Sequence, residues 1–202
     1  TVNNIGIGGT ALNGSLGVGS SAPSWSNSGK FGKALSFDGS NDYVSIPDNN
    51  ALDVTTMTFS LWFNPTSTLN SGSGRHDIAR KWIAYWLILN YPSNDGKITF
   101  TIDSGTPSVS TTTTSWSAGT WYHIVGTHSG TEMKIYVNGI LEGTTTTTNL
   151  PDVGTGVLEI GASSTQNYYF PGLIDEVKIY NSALTQDEIL LDMNQGSAMV
   201  LG

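Results

Sequence analysis

Cysteine is absent from this 202-residue chain, so disulfides, thiolate metal sites and a catalytic thiol are excluded. Basic residues are scarce, with eight Lys and Arg against sixteen Asp and Glu and a net charge of −8. The two arginines are Arg75 and Arg80, and no Lys/Arg run exists. Nucleic-acid backbones are bound through basic stripes that release counterions, so no nucleic-acid partner is expected. No window of ~18 apolar residues occurs, and no membrane insertion is expected. The chain starts at Thr1 without Met or a basic-then-apolar leader, and reads as a mature or excised piece of something longer. Motifs of catalysis are also missing. There is no G-x-S-x-G elbow, the three histidines form no H-E-x-x-H, and GIGGTALNG (6–14) follows no strand and opens no helix.

What is present is β structure. Charged residues make up only 12% of the chain, while Gly, Ser, Thr and Asn abound. A surface of hydroxyls and amides suits an exported protein. The length suits one domain, 1–202. From residue 34 onward, strand-like runs recur at short intervals: ALSFD, YVSIP, MTFSLWF, AYWLILN, KITFTI, WYHIVGTH, MKIYV, VLEIG and GLIDEVKIY. Asn138-Gly139 between two apolar runs marks a tight hairpin. Thr185, three residues before Glu188, forms a capping box, and Ile189, Leu190 and Met193 follow as an apolar stripe. Many strands and one late helix specify an all-β fold: two antiparallel sheets packed as a sandwich or jelly roll, with a short C-terminal helix. The threonine runs 111–114 and 144–148 read as hydroxyl-rich connectors, and Asn13-Gly-Ser15 is the single glycosylation sequon.

Four segments, GKFGKALSFDGSNDYVSIPD, MTFSLWFNP, WYHIVGTHSGTEMKIYVNGIL and FPGLIDEVKIYNSALTQDEI, carry a resemblance. Their order resembles concanavalin A-like lectin/glucanase domains, and most of all the laminin G-like jelly rolls of microbial surface proteins, over about residues 29–194. The resemblance implies an extracellular or cell-surface module that binds carbohydrate or mediates adhesion and often carries a structural calcium. One departure is expected to matter. The family's opening strand is missing at the N-terminus, and the tail 196–202 resembles the start of such a strand. Either the boundary is shifted and the tail completes its own domain, or the tail is donated to an identical neighbour in a filament or tandem array.

Several residues are candidates for chemistry. FDGSNDYVSI (37–46) holds more oxygen than a turn needs. Strict alternation in GLIDEVKIY puts Asp175 on one face with Leu173, Val177 and Ile179, where a carboxylate needs either backbone N–H donors or a cation. In related domains calcium sits near this hairpin and the late Asp. The resemblance therefore implies a structural Ca²⁺ held by Asp38 and Asp175, with Asn41 and Asp42 as further ligands. The spacing is not that of an EF-hand. The superfamily's glucanases carry an E-x-D-x-(x)-E cluster. Glu132, Glu142, Glu159, Glu176 and Glu188 form none, and adjacent Asp175 and Glu176 point to opposite faces of a strand. No catalytic residue is assigned.

His123 reads as a hydrogen-bonded core histidine. Aromatic residues outside the family motifs are the candidates for stacking on sugar: Trp82, Tyr85, Trp86, Tyr91, Trp116, Tyr168 and Tyr169. The leading expectation is a non-catalytic module for a glycan or cell-surface polysaccharide. The alternative is a structural repeat of a surface appendage assembled through the tail.

Overall fold

The computed structural model describes residues 1–7 and 9–194. Along them run β1 (Ser15–Leu16), β2 (Ser24–Ser26), β3 (Ala34–Asp38), β4 (Val44–Ile46), β5 (Met57–Pro65), β6 (His76–Lys81), β7 (Tyr85–Leu89) and β8 (Ile98–Ile102). β9 (Ser108–Ser110), β10 (Tyr122–His128), β11 (Glu132–Val137), β12 (Ile140–Thr146), β13 (Leu158–Ile160), β14 (Ala162–Ser163), β15 (Tyr168–Tyr169) and β16 (Pro171–Tyr180) follow, and then the helix α1 (Gln186–Met193). Sheet one has the order β1-β4-β13-β6-β7-β8-β9, and sheet two β12-β11-β10-β5-β16-β3-β2. β14 and β15 form a separate small hairpin. This is the two-sheet antiparallel sandwich with one short helix. The expectations for the tail 196–202 lie outside the described residues.

The local signals explain the elements. Asn138 and Gly139 both take positive φ, 49° and 77°, the backbone a two-residue turn between β11 and β12 requires. Thr185 caps α1 by accepting from the Glu188 N–H, while the Glu188 carboxylate accepts from the Thr185 N–H at 2.8 Å.

Alternation on β5 sends Phe59, Leu61 and Phe63 into the core, where they meet the inward residues of sheet one, Tyr85, Leu87, Leu89 and Phe100. Each fully buried side chain of this size contributes about 1.5–3 kcal/mol of apolar transfer. Gly126 on β10 is required by packing: a Cβ there would lie 2.3 Å from the Phe100 ring. Two aromatic candidates belong to this core. Tyr85 is fully buried and donates its hydroxyl to Leu52 O at 3.1 Å. Trp116 is also fully buried, against Phe63 and Tyr122, with Nε1 donating to Gly96 O at 2.8 Å. The expectation that Trp116 stacks on sugar is thus corrected. Its polar sequence neighbours belong to a loop that this one ring anchors, through the bridge between Leu69 and Trp116.

The alternation assumed for GLIDEVKIY also fails. The register of β16 against β5 slips between Asp175 and Lys178, with Glu176 at φ 51°. This bulge lets Ile174 pair with Phe63 and Ile179 pair with Phe59 on the core side. Asp175 instead pairs with Trp62 on the outer face of sheet two and is buried there by the 28–33 loop.

Candidate functional site

The outer face of sheet one carries an arginine–aromatic stack. One rung crosses it from β4 to β9 as Ser45, Glu159, Arg80, Trp86, Thr101 and Ser108. Arg80 is only 1% exposed. Its guanidinium lies 4.3 Å from the Trp82 ring and 5.1 Å from the Trp86 ring. Trp86 meets Tyr91 edge-on with centroids 6.0 Å apart. Arg75 then sits 4.8 Å from the Tyr91 ring and 4.2 Å from that of Tyr168. Four of the candidate aromatics, Trp82, Trp86, Tyr91 and Tyr168, are therefore brought together. Tyr85 and Trp116 lie in the core, and Tyr169 turns its hydroxyl back to Ser164 O.

Fully buried Asp77 holds the arginines in place. It accepts from Arg75 Nε at 2.7 Å and Nη2 at 3.0 Å, and from Arg80 Nη1 at 3.0 Å. Arg80 Nη1 also donates to Ser163 Oγ at 2.5 Å and Gln166 Oε1 at 3.3 Å, both on the β14–β15 hairpin that crosses this face. Burial lowers the Arg80 guanidinium from its ordinary value, and the charges of Asp77 and Glu159 oppose that shift. Glu159 is occupied by the N–H and hydroxyl of Ser164. Two arginines against two carboxylates leave the cluster formally neutral.

Trp82 is the open end of the stack, 41% exposed. It stands on a strained turn, because β-branched Ile83 has φ 59°. Ser104 N–H donates to Ile83 O at 2.8 Å and Asp103 N–H to Ala84 O at 3.1 Å, and these two bonds hold the turn. Strain of this kind, about 1–3 kcal/mol, persists where the surroundings enforce it and clusters at ligand sites. Sequence reasoning missed Arg75, Asp77, Arg80, Glu159, Ser163 and Gln166. Only the five-residue spacing of the two arginines hinted at them. A depression of about 370 Å³ elsewhere on the surface is lined by Asn50, Ala51, Asp53, Val54, Thr55, Thr56 and Asn181 and holds no aromatic side chain.

The expected calcium ligands separate into two places. Asp38 pairs with Pro171, and Asp175 lies four residues further along β16, about 13 Å away at strand rise. The two carboxylates do not meet. Asp175 accepts from Phe31 N–H at 3.0 Å and Glu176 N–H at 2.9 Å, the backbone-donor alternative, although burial still raises its carboxyl above the ordinary range. Asp38 caps its own turn, accepting from Ser40 N–H at 2.8 Å and Asn41 N–H at 3.1 Å. Burial pushes its carboxyl up, but these backbone donors hold it below the ordinary value. Asp42 accepts from Asp38 N–H at 2.8 Å, and burial together with the Asp38 charge raises it. Asn41 Oδ1 is buried without a partner. Among the described residues no group of three or more His, Cys, Asp or Glu converges to hold a metal ion.

A Ser–His–Asp set lies on the opposite sheet, under α1. Ser60 Oγ is 2.9 Å from His123 Nε2 and donates to Asp192 Oδ2 at 2.7 Å. The far nitrogen of His123, Nδ1, is buried and has no partner. An activated serine needs its carboxylate on that far nitrogen, so this is a packing cluster that docks the helix.

Known proteins place this architecture. No curated protein matches the chain. Among solved structures, domain 4 of AbnA, a GH43 extracellular arabinanase from Geobacillus stearothermophilus in complex with arabinotriose, matches at 23% identity and TM-score 0.67. That match covers 90% of this chain and 88% of the other. The binding domain of Paraclostridial Mosquitocidal Protein 1 matches at 18% identity and TM-score 0.70, covering 91% and 48%. The receptor-binding domain of botulinum neurotoxin mosaic serotype C/D matches at 15% and 0.67, covering 92% and 47%. The chain thus spans about half the length of the two toxin chains. These likenesses establish the shared fold. A family model, Laminin_G_3, matches residues 38–190, which run from the Asp38 turn through both sheets into α1; the chain belongs to the concanavalin A-like lectin/glucanase superfamily that this model describes.

Proposed function

We propose that this chain is a non-catalytic carbohydrate-binding module of an extracellular or cell-surface protein, and that it takes a neutral glycan on the Trp82 face. The observation that carries the reading is the half-open Trp82 indole at the end of a rigid arginine–aromatic stack, on a turn strained at Ile83. An exposed ring fixed in place offers a flat apolar surface for the C–H face of a sugar, at little cost in side-chain ordering. The charge balance of Arg75, Arg80, Asp77 and Glu159 gives an acidic sugar no net attraction, and the chain's net charge of −8 repels one. The arabinanase domain, solved with arabinotriose, supports a sugar as ligand.

Titration calorimetry against arabinan, xylan, β-glucan and polygalacturonate oligosaccharides tests this. Binding of at least one neutral oligosaccharide is expected, insensitive to salt, with affinity falling about tenfold or more in Trp82→Ala, the loss of a well-placed anchor. Absence of binding across the panel, or affinity unchanged in Trp82→Ala, overturns the reading.

We also propose a structural calcium at the 38–42 loop, held by Asp38, Asn41 and Asp42 with backbone carbonyls and without Asp175. The support is the unpartnered Asn41 Oδ1 beside two mutually repelling carboxylates. A divalent cation there supplies positive charge that locks the β3–β4 connection. Calcium at about 100-fold over its dissociation constant adds about 2.7 kcal/mol. The melting midpoint is then expected to rise by several degrees over the chelated protein, and not in Asp42→Asn. An unchanged midpoint, or an equal rise in the variant, overturns the site.

A further inference from the structure

We infer that His76 is a positioning residue of the Trp82 face and acts there as an imidazolium; its consequence for glycan binding rests on the proposed carbohydrate reading, its protonation does not. His76 Nδ1 lies 2.6 Å from Tyr169 O, and Nε2 lies 3.0 Å from Ser73 O. Backbone carbonyls only accept hydrogen bonds. A neutral imidazole has one N–H and one lone pair, so it can satisfy only one of these contacts and must aim its lone pair at the other oxygen. Both contacts are hydrogen bonds only when both ring nitrogens carry protons.

The two carbonyls belong to the two segments that build the Arg75 end of the stack. Tyr169 lies on β15, whose neighbour Tyr168 packs on the Arg75 guanidinium, and the same hairpin brings Ser163 and Gln166 to Arg80. Ser73 lies in the 70–75 loop that leads into Arg75. One doubly protonated ring therefore ties the hairpin to the loop and fixes the rim between them.

The charged neighbours permit this. On the same segment, Arg75 is paired with Asp77 at 2.7 Å, so the nearest cation is already neutralised. The β14–β15 hairpin, residues 162–169, carries no Asp, Glu, Lys or Arg. Glu159 on β13 is occupied by Ser164. The residue opposite His76 on β7 is Leu89, and the 70–75 loop adds no other charged group than Arg75.

Protonation holds the hairpin down, so the hairpin is fixed at acid pH and loosens as pH rises and the second proton leaves. Long-range ¹H–¹⁵N spectra of the labelled chain read the ring directly, with His76→Gln assigning its signals among the three histidines. Both His76 nitrogens are expected at protonated frequencies in mildly acidic solution, passing to a single N–H tautomer as the second proton leaves. Amide exchange of residues 162–169, corrected for intrinsic rates, is expected to rise several-fold across that transition. In His76→Gln, whose amide donates without titrating, exchange is expected to be independent of pH. A neutral single-N–H ring in mildly acidic solution, or the same pH dependence in the variant, overturns the inference. If no glycan binds at any pH, the carbohydrate reading fails while the ring spectra still decide His76.

Discussion

Asp192 shows how much one side chain near the end of α1 holds together. It accepts from Ser60 Oγ at 2.7 Å, Lys178 Nζ at 2.8 Å and Tyr180 OH at 2.7 Å, and His123 Nε2 lies 3.6 Å away. Burial alone raises its carboxyl, yet the nearby His123 ring and the hydrogen bonds from Lys178, Tyr180 and Ser60 outweigh that and hold it far below the ordinary range. A depressed carboxylate contributes stability that is fully present above its unfolded value, about 3.9, and is lost progressively as pH falls from there towards the lower folded value. Asp192→Asn keeps the shape but leaves half-buried Lys178 with Glu176, 3.3 Å away, as its remaining counter-charge. The expected loss is about 2 kcal/mol at neutral pH, read from urea unfolding, for weakening the hydrogen bonds that converge on a buried carboxylate. The wild-type advantage should shrink below about pH 4, because there Asp192 of the unfolded chain takes up a proton while the folded carboxylate stays ionised. Equal stability of the two proteins at neutral pH contradicts this role.

Elements were legible where local chemistry decides them. The Asn138-Gly139 turn and the Thr185 capping box act within four residues, and both stand in the structure where their patterns place them. The strand β6 was not legible, since four of its six residues, HDIARK, are ionisable. It lies in the middle of sheet one only because its charges are paired through space: Asp77 with both arginines, and Lys81 with Asp48 at 2.9 Å and Asp53 at 3.1 Å. No local pattern announces partners 28 or 33 residues away. The same strand carries Asp77 and Arg80, with Arg75 and Trp82 just beyond its ends, which explains why the aromatics were found and the arginines between them were not. Asp175 failed for a different reason. Alternation is a reliable guide until a bulge shifts it by one, and the φ of 51° at Glu176 is set by tertiary packing, since Glu is no turn former. Its burial followed from the sequence, but its face did not.

At the scale of the whole molecule, an open two-sheet sandwich has the problem of its edges, and this one resolves it at β9 and β12. Glu142, on the edge strand β12 of sheet two, accepts from Thr112 N–H and Thr113 N–H at 2.9 Å each and from Thr113 Oγ1 at 2.6 Å, just past the edge strand β9 of sheet one. The edges approach so closely that a Cβ on Gly143 would lie 2.6 Å from Ser110 O. The two threonine runs, plain connectors in the sequence, are parts of these two facing edges. Glu142 thus binds one sheet to the other and masks N–H groups that would otherwise be free to pair with another chain. Hydrogen bonds to a charged acceptor contribute about 1.5–3 kcal/mol, and the half-buried setting reduces this to roughly 1–2 kcal/mol for the set. Glu142→Ala is therefore expected to lower the melting midpoint by about 3–6 °C in a chain of this size. Light scattering should show concentration-dependent association that wild type lacks, because the opened edges are free to pair. A variant that melts with wild type and stays monodisperse would mean that apolar packing alone closes this edge.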